Sequence, residues 1–156
     1  MKNIFSQAEL LNALYTVNGR VVLVGGCFDV LHRGHVEFLQ EAKKLGDILF
    51  VLLESDETIK KRKGEKRPIH TQEDRAQILA GLRAVDRVIM LQSNLTDSDY
   101  SKLVNSIKPD IIAITEGDPI KEKKADQAAS VGGHLFTIEK KGDYSTNGII
   151  KKIKEL

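Results

Sequence analysis

The sequence predicts an α/β fold: a doubly wound, five-stranded parallel sheet with helices on both faces. Three observations carry this reading. Short apolar runs alternate with helix-like segments along the chain. The first run, VVLV at residues 21–24, is β-branched and apolar, as a strand covered on both faces requires. The breakers Pro109 and the paired glycines fall between elements rather than inside them. Strands separated by helices imply right-handed βαβ crossovers, which build a parallel sheet.

Residues 6–17 read as an amphipathic helix, with Ser6 as its N-cap and Ala8, Leu10, Leu11, Leu14 and Tyr15 as its apolar side. After strand 21–24 come a helix over 34–45 and strand 48–53 (ILFVLL). A basic loop spans 58–69. The helix over 71–83 opens at Thr71 with Asp74 three residues on, a loose capping box. Strand 87–91, helix 97–107, strand 110–115, helix 121–131, strand 134–138 and a final helix from about Thr146 complete the pattern, which is Rossmann-like. No internal repeat or low-complexity linker interrupts it. One domain over 1–156 is expected, with residues 1–19 as a helical extension.

Composition narrows the function. A hydrophobic content of 41% with 29% charged residues is that of an ordinary globular protein. A net charge of +2 is too small to argue for nucleic acid or an anionic membrane as partner. No run reaches the ~20 apolar residues of a membrane span, and the opening residues do not read as a signal peptide. The single cysteine, Cys27, excludes an internal disulfide and fits a reducing cytoplasm. Positive charge is concentrated locally, in Lys60, Lys61, Arg62, Lys63, Lys66 and Arg67, and again in Lys121, Lys123 and Lys124.

The chemistry is concentrated in VVLVGGCFDVLHRGH, residues 21–35. Gly25 and Gly26 let the chain turn sharply after the strand. His32-Arg33-Gly34-His35 then opens a helix, where free N–H groups and the dipole favour phosphate. A histidine pair at this spacing could instead bind zinc, but no cysteine or carboxylate partner stands at convincing spacing, so no metal site is expected. Asp29 could cap or brace the turn. The other segments able to handle phosphate, Ser55–Arg67, Thr115–Asp118 and Gly142–Asn147, also follow strands. In a doubly wound sheet all of these share the carboxyl edge, where ligands bind.

These residues resemble the His-x-Gly-His signature of the cytidylyltransferase-like nucleotidyltransferases. Across nearly the whole chain the sequence is most similar to the nucleotidyltransferase domain of bacterial ADP-heptose synthesis: GCFDVLHRGHVEFLQEAKKLGD, SDETIKKRKGEKRPI, the arginine of QEDRAQIL, KPDII and STNGIIKKI carry the likeness. Glycerol-3-phosphate cytidylyltransferase resembles it across the core, with less agreement in the basic segment.

The resemblance implies attack of an acceptor phosphate on the α-phosphorus of a nucleoside triphosphate, with His32, His35 and Lys63 catalytic. It implies nucleotide binding by Cys27, Phe28, Asp29, His32, Gly34, His35, Gly117, Asp118, Ser145 and Thr146, and acceptor binding by Lys63, Arg75 and Arg83. It further implies Mg²⁺ on the polyphosphate, ATP and a heptose 1-phosphate as substrates, and a homodimer. Arg75 and Arg83, eight residues apart on one expected helix, could face the same side. Arg83 looks more like the cytidylyltransferases, so CTP with glycerol 3-phosphate or another small acceptor is the alternative. Two departures from the family pattern stand out. Asn147 and Gly148 follow Ser145-Thr146 where a second threonine is usual, and Thr115–Pro119 replaces a Lys-Gly-Gly-Asp-aromatic segment.

Overall fold

Alternate residues of the central strands feed two apolar layers. The structure, a computed structural model, describes residues 3–156. In chain order the elements are β1 (Ile4–Ser6), a single 3₁₀ turn (Gln7–Glu9), α1 (Leu10–Leu14), β2 (Val21–Gly26), α2 (Arg33–Lys43), β3 (Ile48–Leu53) and α3 (Asp56–Lys63). There follow α4 (Gln72–Ala80), β4 (Arg87–Met90), α5 (Asp97–Ile107), β5 (Ile111–Thr115), α6 (Lys121–Ser130), β6 (His134–Ile138) and α7 (Thr146–Lys154). All strands pair in parallel, in the order β1-β4-β3-β2-β5-β6. Leu23, Phe50, Leu52 and Ile112 point to the face covered by α1, α5 and α6 through Leu10, Leu103, Val104 and Ala128. Val22, Val24, Leu49 and Val51 point to the face covered by α2 and α4 through Leu39, Ala42, Ala76 and Leu79. Burying both faces is what makes the strand sequences continuously apolar.

The sheet has six strands, not the expected five. The additional one, β1, lies just ahead of the expected helix over 6–17, within the expected helical extension: Ile4, Phe5 and Ser6 pair with Val88, Ile89 and Met90 of β4. Phe5 is buried in the core, while helix α1 is confined to Leu10–Leu14. A three-residue strand is too short to show a period of two, so only the helical spacing beyond it was visible. Met1 and Lys2, the start of the expected extension, lie outside the described residues. The first half of the expected basic loop is helical. In α3 the Ser55 hydroxyl accepts the Thr58 N–H at 3.1 Å, Asp56 and Glu57 occupy the first turn, and Lys60 to Lys63 the last. That distribution of charge matches the helix dipole. With Ile59 as its one buried residue, α3 shows no apolar stripe.

The register positions the site. Strand β2 pairs with β3 along Val21–Gly26 but with β5 only at Val22 and Leu23. Past Leu23 the ladder on the β5 side stops, and the loops after β2 and β5 diverge. This is the point where strand order reverses, the place where such sheets bind ligands. Among the described residues, no helix is long and apolar enough to cross a membrane.

Candidate active site

A cleft of about 900 Å³ opens at this point, floored by Leu23, Leu52, Ile112 and Ile114 and rimmed by the loops after β2, β3, β5 and β6. The loop after β2 is bent tightly, with Phe28 and Val30 at φ +47° and +51°. Such backbone is costly for non-glycine residues and persists only when its surroundings hold it. Asp29 does so. Its carboxylate, 1% exposed as a residue, accepts N–H groups from Ile69 (2.8 Å) and His70 (3.0 Å) and from Arg67 Nε (2.9 Å). Burial pushes the Asp29 carboxyl up, but the two backbone N–H groups and Arg67 outweigh it and hold it below the usual range.

The histidines cap α2. The Gly34 N–H donates to His32 Nδ1 at 3.1 Å, and the His32 N–H donates to His35 Nδ1 at 3.4 Å. The rings stack with centroids 3.8 Å apart and planes 22° apart. An accepting Nδ1 places the proton of a neutral imidazole on Nε2, so each ring is left an Nε2–H donor. Burial, then the charges of His32 and Lys63, lower His35 to about 4. Burial, then Lys140, lowers His32 as well. A Cβ on Gly34 would stand 3.0 Å from the His32 ring and 3.0 Å from Tyr144 Cβ, so only glycine admits this packing without displacement.

The N-terminus of α7 is fastened over the same loop. Thr146 Oγ1 donates to the Asp29 carbonyl at 2.7 Å, Ser145 Oγ accepts the Gly148 N–H at 3.0 Å, and the Arg33 guanidinium lies 5.5 Å from the Tyr144 ring centroid. Arg67, absent from the sequence-based site, ties the pieces together: Nε binds Asp29 and Nη1 donates to Asn147 Oδ1 at 3.0 Å. Its Nη2 is buried with no partner among the described residues. Asn147 thus has a role of its own as the acceptor for Arg67. The Arg67-Pro68 pair after Gly64 was the sequence signal available for this residue.

Lys63 ends α3 at the cleft, close enough for its charge to act on both His35 and Cys27. The Cys27 thiol is pushed up mainly by burial, which does not favour a thiolate nucleophile. Gly117 and Asp118 line the β5 side of the cleft, where Asp118 accepts the Ile120 N–H (2.9 Å) and pairs with Lys124 (2.7 Å). Glu116 accepts the Lys140 N–H at 2.9 Å and joins the loops after β5 and β6. On the β3 side, Tyr100 donates to Glu54 (2.8 and 3.0 Å to its two oxygens), and sequence reasoning found neither residue.

Two expected acceptor residues are placed elsewhere. Arg75, 1% exposed, has its guanidinium engaged by the carbonyls of Cys27 (2.7 Å), Glu54 (3.0 Å) and His70 (3.1 Å) and by Asp56 (2.7 Å). It braces three loops. Arg83 is exposed on a separate groove beside Val36, Gln40 and Lys43. The reason is that α4 ends at Ala80. Arg83 lies beyond the helix, so the spacing that would align it with Arg75 does not apply.

Residues 23–146 match the family described as cytidylyltransferase-like. The chain belongs to the cytidylyltransferase-like family. Relatives include the bifunctional protein HldE of Helicobacter pylori strain HPAG1, 41% identical over 146 residues covering 94% of this chain. That of Haemophilus influenzae strain PittEE is 37% identical over 158 residues covering 98%. The chain spans only 30% and 32% of the lengths of these two relatives. A solved lipopolysaccharide core biosynthesis protein from Thermoplasma volcanium is 31% identical with a TM-score of 0.64, the match covering 82% of this chain and all of that one. Pantothenate synthetase from Thermus thermophilus shares the fold at a TM-score of 0.70 and 13% identity, over 99% of this chain and 70% of its own.

Proposed function

We propose that this nucleotidyltransferase moves AMP from ATP to a sugar 1-phosphate, a heptose 1-phosphate, and releases pyrophosphate. An acceptor phosphate oxygen bonds to the α-phosphorus while the bond to the β-phosphate breaks, and pyrophosphate leaves with the electron pair. The acceptor oxygen is already ionised near neutral pH, so no strong base is required. What the chain must supply is orientation and stabilisation of the charge that builds on the phosphoryl oxygens.

One observation carries this reading: two stacked imidazoles with Nδ1 engaged, each left an Nε2–H donor at the cleft beneath the α7 N-terminus. Such donors bind phosphoryl oxygens without taking up a proton, and their bonds tighten as charge develops in the transition state. Lys63 adds a countercharge on the acceptor side. Gly117, Asp118 and the α7 N-terminus are assigned to the nucleotide.

Mg²⁺ is proposed to enter with the triphosphate. Among the described residues, no three His, Cys, Asp or Glu side chains gather into a metal site, so the oxygen ligands would be phosphate and water, the mode Mg²⁺ favours.

ATP and heptose are supported by the residue pattern shared with ADP-heptose synthesis and by the absence of an Arg-Thr pair before Ser145. CTP with glycerol 3-phosphate is the second reading. Arg83, which favoured it, lines a separate groove outside the cleft. A cytoplasmic homodimer belongs to the same proposal. Mass spectrometry of the product tests it: an ADP-linked heptose is expected, and a CDP-linked product would replace it.

A further inference from the structure

We propose that Glu54 and Tyr100 form a subsite that reads the hydroxyl groups of the phosphorylated acceptor. This rests on the transfer reading above and extends it to the acceptor's carbon skeleton. Strand β2, which carries the histidine loop, stands between β5 and β3 in the sheet. The β5–β6 side of the cleft holds Gly117, Asp118 and the α7 N-terminus. The β3–β4 side holds Glu54 just past β3, Arg62 and Lys63 on α3, and Tyr100 on α5. The phosphate centre therefore divides the cleft, and the half beyond it toward β3 is left to the acceptor.

Glu54 is 7% exposed, and its backbone is pinned by an N–H bond to the Gly26 carbonyl (3.1 Å) and by Arg75 on its own carbonyl (3.0 Å). Its two carboxylate oxygens share one donor, the Tyr100 hydroxyl. Arg62 Nη1 is 3.6 Å away, an ion pair too long for a good hydrogen bond. A carboxylate accepts about four hydrogen bonds, and a buried one is costly when it goes short of them. Burial and Glu54 itself raise Tyr100 to about 12, so the phenol keeps its proton and remains a donor.

The unmet demand is for O–H donors within the cleft, beside a lysine suited to a phosphate. A polyol or sugar phosphate supplies both. A polyphosphate offers no such O–H donors.

The test is titration calorimetry of heptose 1-phosphate and of methyl phosphate, which has no hydroxyl group, into the protein saturated with a non-hydrolysable ATP analogue. Wild type is compared with Glu54→Gln, Glu54→Leu and Tyr100→Phe, with thermal unfolding to check that each variant is folded. The heptose 1-phosphate Kd is expected to rise about tenfold to a hundredfold in Glu54→Leu, with a smaller rise in Glu54→Gln, the scale of lost hydrogen bonds to a charged group. Methyl phosphate and the ATP analogue should bind as to wild type. A folded Glu54→Gln or Glu54→Leu that keeps the wild-type preference for heptose 1-phosphate over methyl phosphate would make Glu54 a brace and overturn the subsite. Because binding is read without turnover, Glu54-dependent binding in a wild type that releases no pyrophosphate upholds the subsite while the transfer reading fails.

Discussion

His32 and His35 hold each other: the backbone N–H of the first donates to Nδ1 of the second at 3.4 Å, and their rings stack 3.8 Å apart. The pair therefore meets a ligand as a rigid unit in which Nδ1 of each ring is already engaged. Replacing either with Ala should lower kcat by two orders of magnitude or more, the scale of a lost transition-state donor, and raise the KM for ATP much less. Steady-state pyrophosphate release checks this. A kcat near that of wild type in either variant would remove the histidines from the chemistry.

Burial of His35 has a cost in stability at low pH. Its folded pKa of about 4 lies below the ordinary 6.5, so the unfolded chain binds a proton that the folded chain refuses. Stability should thus be full above about 6.5 and fall as pH drops toward 4, by roughly 3 kcal/mol in all. Urea unfolding at intervals between pH 7.5 and 4.5 reads the slope. His35→Asn should flatten it; an unchanged slope in that variant assigns the proton elsewhere.

Lys63 lines the cleft, whereas Lys60, three residues earlier on α3, pairs with Glu65 at 3.4 Å on the surface. Lys63→Ala should reduce kcat/KM about a hundredfold and Lys60→Ala less than about twofold, since exposed pairs contribute little. Small and equal losses would mean that α3 acts only through its overall charge.

The two arginines expected at the acceptor should fail in different ways. Arg75→Ala removes a buried cation from three carbonyls and a carboxylate, so it should destabilise the fold by roughly 3 kcal/mol or more in denaturant unfolding. Arg83→Ala should leave the acceptor KM within about twofold. A large rise in acceptor KM for Arg83→Ala would return that residue to the site.

Features contiguous in sequence were legible. Strand β2, the glycine turn and the His-x-Gly-His opening of α2 announce themselves within fifteen residues, because turn, cap and periodicity are all local. Strand β1 was not, since its three residues gain meaning only by pairing with β4 more than eighty positions on. Helix α3 was misread because its one buried residue, Ile59, leaves no stripe, although the Ser55 cap and the order of charges were present. Arg75 was recognised as important but not for what it touches: carbonyls from residues 27, 54 and 70 meet only in the folded chain. The Arg67–Asn147 and Tyr100–Glu54 contacts, 80 and 46 residues apart, are of the same kind.

Adenylyl transfer to a heptose 1-phosphate is read by pyrophosphate release, with ATP and CTP each offered heptose 1-phosphate and glycerol 3-phosphate. Release is expected with ATP and heptose 1-phosphate, with a kcat/KM for ATP at least about tenfold above that for CTP, the factor that 1.4 kcal/mol supplies. Preference for CTP with either acceptor, or no release from ATP with heptose 1-phosphate, would contradict it.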